Sequence, residues 1–259
     1  MKKMLLLGIG CLWQWTVLYA QEYKTKLANN GDQKVMLMLD ASNLKIEGYN
    51  GNELVIQTQS KMEAPPEQAK GLRPLYNSAV DNTGIGLAVT TEGNTVRVEK
   101  ASRRHMAYTI RVPNKAAILY EQVNWGSNGN VHIQNMDGDL EVKTLNGNIS
   151  LVNVTGPVVA NSTNGEVKVV YSTLNQSKPT AISTISGDID VTLPASTKAS
   201  FKLNSINGEM YTDFDLGMAK KDGLSRMGGG HVINGTANGG GVELRLKTIS
   251  SDIFIRKQK

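Results

Sequence analysis

The sequence predicts an all-β fold, a β-solenoid-like stack of coils of about 18–22 residues each. Three observations carry this: a grid of glycines, apolar alternation on both sides of each, and a shared turn signature. Gly129, Gly138, Gly147, Gly156 and Gly165 stand nine residues apart, and Gly187 and Gly208 follow at steps of 22 and 21. The flanks "VKTLNGNISL", "ANSTNGEVKV", "ISTISGDIDV" and "LNSINGEMYT" share an apolar residue, a Ser, Thr or Asn, then Asn-Gly or Ser-Gly, an Asn, Asp or Glu, and a second alternating run. "LKTISSDIFI" has Ser251 at the glycine position. Alternation is the period of a half-buried strand. Asn-Gly and Ser-Gly make turns because Gly accepts positive φ and Asn tolerates it.

Nine residues make one strand plus one turn, so 18 to 22 make a coil of two strands. An antiparallel sandwich or meander with Asn-Gly hairpins also fits the spacing. The turns resemble one another at coil spacing, which favours stacking of like residues above like. Residues 131–255 then give about six coils, each laid on the last. The step of 43 from Gly208 to Ser251 reads as two coils.

Along the chain, residues 1–20 read as a secretory signal peptide: Lys2 and Lys3, an apolar run to Leu18, and Ala20 before Gln21. The only cysteine, Cys11, lies in it; "LGIGC" resembles a lipidation site weakly, with Gly8 where a larger aliphatic residue is usual. Residues 21–259 are expected to form a single β-repeat domain, with N-terminal strands over 21–112 and regular coils over 113–259. Val35, Leu37 and Leu39, then Leu44 and Ile46, then Leu54 and Ile56, mark three strands. The irregular 62–86 segment reads as a lid over one end of the stack, and 213–230 as an exposed loop. "NTVRVEK" and "AYTIRVP" are further strands. At the C-terminus, Arg256, Lys257 and Lys259 would blunt an exposed edge strand.

Composition narrows the function. The chain of 259 residues is 40% hydrophobic, 20% charged and 5% aromatic, with a net charge of +5 that becomes +3 without Lys2 and Lys3. So mild an excess, with no long basic run, does not point to nucleic acid. Beyond the first twenty residues no apolar run approaches a membrane span. With no cysteine outside that segment, disulfides and thiol chemistry are not expected.

No catalytic, cofactor or metal site emerges. His105, His132 and His231 have no metal-like partners nearby in sequence; His132, between Val131 and Ile133, is expected on the solvent face. The nine-residue calcium repeat needs an Asp in each unit, whereas Asp137, Asp139 and Asp188 here alternate with Asn128, Asn146 and Asn164. Asp188 with Asp190, and Asp137 with Asp139, could be paired acids but fit a solvated turn better. For a polysaccharide-cleaving enzyme, Asp81, Asp213 and Asp215 are the residues to test.

The units "ISGDIDVTLP", "SINGEMYTDF" and "TISSDIFIRK", following a signal peptide, resemble the bacterial "putative adhesin" family of unknown function, related to the head domain of autotransporter adhesins. The resemblance covers about residues 35–257 and is strongest from Asn130 onward. "GLRPLYNSAVDNTGIGL" resembles variants in secreted Bacteroidetes-type proteins. The resemblance implies an all-β repeat fold in the cell envelope and brings no catalytic residues. The expectation is therefore a non-enzymatic, exported envelope protein, adhesive or structural, located in the periplasm, at the outer surface or outside the cell. Its partner is unspecified, a glycan or an envelope protein. The alternatives are an envelope polysaccharide enzyme and a periplasmic partner of a signalling system.

Overall fold

A computed structural model describes residues 21–28, 32–40, 43–59, 66–72, 79–125, 129–217 and 231–259. The proposed signal segment, with Cys11, lies outside them, as do parts of the 62–86 and 213–230 loops. The strands in chain order are β1 (Gln21–Lys26), β2 (Lys34–Leu39), β3 (Asn43–Tyr49), β4 (Glu53–Thr58), β5 (Leu87–Glu92), β6 (Thr95–Lys100), β7 (Tyr108–Pro113), β8 (Ala117–Gln122), β9 (Asn130–Met136) and β10 (Leu140–Asn146). They continue as β11 (Ile149–Val154), β12 (Val158–Asn164), β13 (Val167–Tyr171), β14 (Thr180–Ser186), β15 (Ile189–Leu193), β16 (Ala199–Ser205), β17 (Met210–Thr212), β18 (His231–Ala237), β19 (Val242–Thr248) and β20 (Ile253–Lys257).

They form two ten-stranded sheets. Sheet A runs β1-β4-β7-β3-β9-β11-β13-β15-β20-β17, and sheet B runs β18-β16-β19-β14-β12-β10-β8-β2-β6-β5. Strands joined by an Asn-Gly turn, such as β10 and β11, lie in opposite sheets, so the turn is a solenoid corner and the hairpin alternative fails. Each strand instead pairs in parallel with its counterpart one coil away. Leu140 faces Val158 and Ile149 faces Val167, an offset of 18; Val167 faces Ile189, an offset of 22. The extra four residues sit in the longer corner between Tyr171 and Thr180, which is where the nine-residue grid breaks.

Alternation puts one aliphatic side chain in two between the sheets. Val142, Ala160, Ile182, Leu246 and Leu203 make one continuous inward column in sheet B, and Leu151, Val169, Val191 and Ile255 face it from sheet A. All are at most 2% exposed. One buried cluster runs from Leu27 to Ile255. Each such aliphatic side chain contributes about 1.5–3 kcal/mol on burial, so stability comes from these columns.

The coils are not laid down in chain order, which corrects the expected linear stack. Strands β19 and β20 enter between the β14/β15 and β16/β17 coils: Ile189 pairs with Ile253, and Met210 pairs with Ile253 from the other side. The 43-residue step from Gly208 to Ser251 is therefore one coil taken backwards. The N-terminal end is built the same way. Strands β2 and β3 lie between the later β6/β7 and β8/β9 coils. Among the described residues eight coils result, two of them, β2/β3 and β6/β7, from the N-terminal part. Strand β20 is consequently not an edge, and Arg256 and Lys257 do not guard one. Antiparallel pairs are confined to the ends: β1–β4, β4–β7, β5–β6 and β16–β18.

Candidate functional site

The most regular polar feature is the corner where sheet B passes into sheet A. Gly147, Gly165, Gly187, Ser251 and Gly208 stack there in that spatial order, and Gly129 lies immediately before strand β9 of the preceding coil. A Cβ on Gly165 would lie 2.2 Å from the Gly147 carbonyl oxygen, and one on Gly187 would lie 2.1 Å from that of Gly165. Gly147, Gly165 and Gly187 also have positive φ. Gly138 and Gly156 belong to the opposite corner, where a Cβ on Gly156 would meet the Gly138 carbonyl at 2.0 Å. The nine-residue grid thus divides into two glycine columns, and close coil-to-coil approach is what requires glycine in both.

The other turn residues serve the same corner. Asn130 Oδ1 accepts the Asn148 N–H, and Asn148 Oδ1 accepts the Glu166 N–H, both at 3.0 Å. Asp188 accepts from Asp252 N–H, and Asp252 from Glu209 N–H. Asn130, Asn148, Asp188 and Asp252, each one place after the turn glycine or Ser251, therefore tie one coil to the next, where sequence reasoning saw only a wet turn. Beneath it, the position three before glycine forms a buried column of Thr144, Ser162, Thr184, Thr248 and Ser205. Thr184 and Thr248 hydroxyls lie 3.1 Å apart, and Ser205 Oγ donates to Ser251 O. Ser162 Oγ has no partner among the described residues. Ser251 replaces glycine at no loss of pairing, because its hydroxyl accepts the Gly187 N–H at 3.0 Å.

The residues singled out as possible acids are separated and individually engaged. Asp81, at the β5 end of the stack, accepts from Thr83, Gly84 and Gly86 N–H groups. Asp213 and Asp215 lie at the opposite end, after β17; they accept from Lys257 N–H and Gly217 N–H. Asp137 takes Thr155 and Asn114 side chains, Asp139 pairs with Lys178, and Asp190 pairs with Arg256. His105 is exposed and His231 opens β18. His132 projects from sheet A and lies between Ser150 Oγ and Gln134 Oε1 at 3.2 and 3.1 Å. The perturbed phenols are core groups: burial pushes Tyr108, Tyr120 and Tyr171 well above the usual tyrosine range.

Two shallow depressions mark the outer faces. One, on sheet A and about 450 Å³, is lined by Asn43, Lys45, Gln57, Asn130 and His132. The other, on sheet B and about 410 Å³, is lined by Glu121, Lys143, Asn161, Ser183, Ile185 and Lys247.

Two mostly parallel sheets closed by glycine corners define a flattened β-solenoid. The chain belongs to the Toastrack DUF4097 family, whose model matches residues 28–256. The resemblance read from the Ser-Gly-Asp units is thereby borne out. No curated protein matches the chain. Among solved structures it is similar to a "putative cell adhesion protein" from Clostridium sporogenes ATCC 15579, at 12% identity and TM-score 0.49, covering 93% of this chain and 100% of that one. A "putative adhesin" from Bacteroides fragilis NCTC 9343 matches at 14% identity and TM-score 0.36, covering 93% and 97%. A "putative lipid binding protein" from Parabacteroides distasonis ATCC 8503 matches at 11% identity and TM-score 0.27, covering 93% and 97%.

Proposed function

We propose that this protein is a non-catalytic binding scaffold of the cell envelope, exported by way of residues 1–20, with an adhesive or structural role. The observation that supports this most is the use made of the polar turn residues. Carboxylates and amides along the corner are spent on backbone N–H groups of the next coil. What they leave outside is two broad polar faces, suited to many weak contacts with a glycan or an envelope protein.

The test has two arms. Protease shaving of intact cells, with a periplasmic control, should cleave the chain from outside if it acts as an adhesin. Protection until the outer membrane is broken would eliminate external adhesion and leave an internal scaffold. In the second arm, purified protein is incubated with envelope polysaccharide. Release of reducing ends that is lost in Asp81→Asn or Asp213→Asn would replace the scaffold with an enzyme.

A further inference from the structure

We infer that the outer face of sheet A carries, at its β17 edge, a binding platform for a pyranose ring of a neutral glycan, centred on Tyr211 and Phe254. The inference rests on the scaffold reading above and gives it a ligand class and a place. Tyr211 and Phe254 are cross-strand neighbours on β17 and β20. Their rings are stacked, 5.3 Å between centroids and 11° between planes. Tyr211 is 52% exposed, and β17 is the last strand of sheet A. Among the described residues, the Tyr211 ring face turned away from Phe254 therefore has no neighbouring strand.

The pair is held in place from behind. The Arg256 guanidinium lies 5.1 Å from the Phe254 centroid, and its Nε donates to both Asp190 oxygens at 3.1 and 3.2 Å. Rings fixed in this way lose little freedom when a ligand settles on them. Glu209 and Asp252, two residues earlier and immediately ahead of the two strands, continue the pairing side by side and fall on the same face by alternation. Glu209 is exposed, and Asp252 uses Oδ1 on the Glu209 N–H, so its second oxygen can still accept.

An aromatic face bordered by carboxylate acceptors matches the two sides of a sugar. The axial C–H groups of a pyranose lie on the ring, and its equatorial hydroxyls donate sideways to the carboxylates. A cation is the competing occupant of any aromatic surface. Arg256 of the same chain already lies over Phe254, so the competition is confined to the Tyr211 face, where salt sensitivity of binding distinguishes a cation from a sugar. The platform is one ring wide, too small for a peptide's side-chain anchors.

The experiment is calorimetric titration of the full-length protein with maltohexaose, cellohexaose and mannohexaose, at low and at high salt. At least one should bind, with an affinity that salt leaves unchanged, since no net charge is exchanged. Tyr211→Ala should weaken it by about tenfold, the loss of one stacking contact, and Tyr211→Phe should preserve it. Glu209→Gln should weaken it less. Saturation-transfer NMR on the unaltered protein supplies a readout that needs no variant: sugar ring C–H signals must respond when aromatic protons are irradiated. The inference is overturned if none of the three sugars binds, if Tyr211→Ala and Glu209→Gln bind like the unaltered protein, or if pentalysine binds there in a salt-sensitive manner instead. Sugar binding that ignores Tyr211 removes this site and leaves the scaffold reading standing. Absence of binding to any glycan or envelope protein removes both.

Discussion

The middle of the stack and its two ends are built by different rules. From β10 to β15, spatial order follows chain order and every strand has a parallel neighbour on each side, displaced by 18 or 22 residues except where β14 and β15 meet β19 and β20 at 64. There each position meets its own counterpart, so glycine falls on glycine and Asn on Asn. At the ends a coil has a copy on one side only, and the repeat gives way to capping. Asn82 donates to Val89 O and accepts Val89 N–H at 2.9 Å each, so one side-chain amide stands in for a strand along β5. At the far end Leu216 O accepts Thr236 N–H on β18. Ile85, Phe214 and Leu216 close the core beneath these contacts. Periodicity in the sequence thus marks where a strand's neighbour is a copy of itself, and its loss marks an edge that must be covered.

The sharpest way to break this contrast is to delete residues 242–259. That removes β19 and β20 from inside the stack and separates the β16–β18 end from the rest. The expected result is loss of cooperative unfolding by circular dichroism; a truncated chain that still unfolds in one transition near the original midpoint would show that the inserted coil is dispensable. Next in size is Gly187→Ala in the middle, which forces a Cβ against the Gly165 carbonyl at a positive φ and should cost about 2–4 kcal/mol in denaturant unfolding. Gly239→Ala near the end, at φ 85 with open space around it, should cost less, about 1 kcal/mol. Equal effects would show that coil contact is not what fixes glycine in the middle.

Ser251→Ala leaves the Gly187 N–H without its hydroxyl acceptor and should cost about 1–2 kcal/mol. Ser162→Ala removes a buried hydroxyl that has no partner among the described residues, and the melting temperature should hold or rise slightly. Alkaline titration probes both regions together, since Tyr108 and Tyr120 lie toward one end and Tyr171 in the middle. Their folded-state phenols are raised above the unfolded value of about 10. Their stabilisation is therefore complete below about pH 10 and lost as pH climbs beyond it, because the unfolded chain releases those protons first. Ultraviolet titration should show these three phenols ionising only with unfolding.

The class of fold and the corners were legible because they are local. A glycine column needs Gly at one position per coil, and alternation needs only neighbouring residues. The order of coils was not legible. Ser251 and Gly208 carry the same signature as Gly187, and any of them can stack on any other, so spacing alone cannot say which coil lies next to which. The use of Asn148 and Asp188 as acceptors for the next coil was equally hidden, although the signal was present: an amide or acid after nearly every glycine. The aromatic pair was missed because Tyr211 and Phe254 are 43 residues apart and meet only through the out-of-order coil.

That inserted coil also bears on how the molecule comes into being. A solenoid assembled in chain order can fold progressively as it emerges, each new coil docking on a finished template. Here the space between β14/β15 and β16/β17 must wait for β19 and β20, which follow both coils in the sequence. Until then two apolar surfaces face an unfilled gap, exposed to any foreign strand. The nascent protein is thus most vulnerable to aggregation between the making of β16/β17 and of β19/β20, and a stall before residue 242 should leave a chaperone-dependent intermediate in place of a shorter stack.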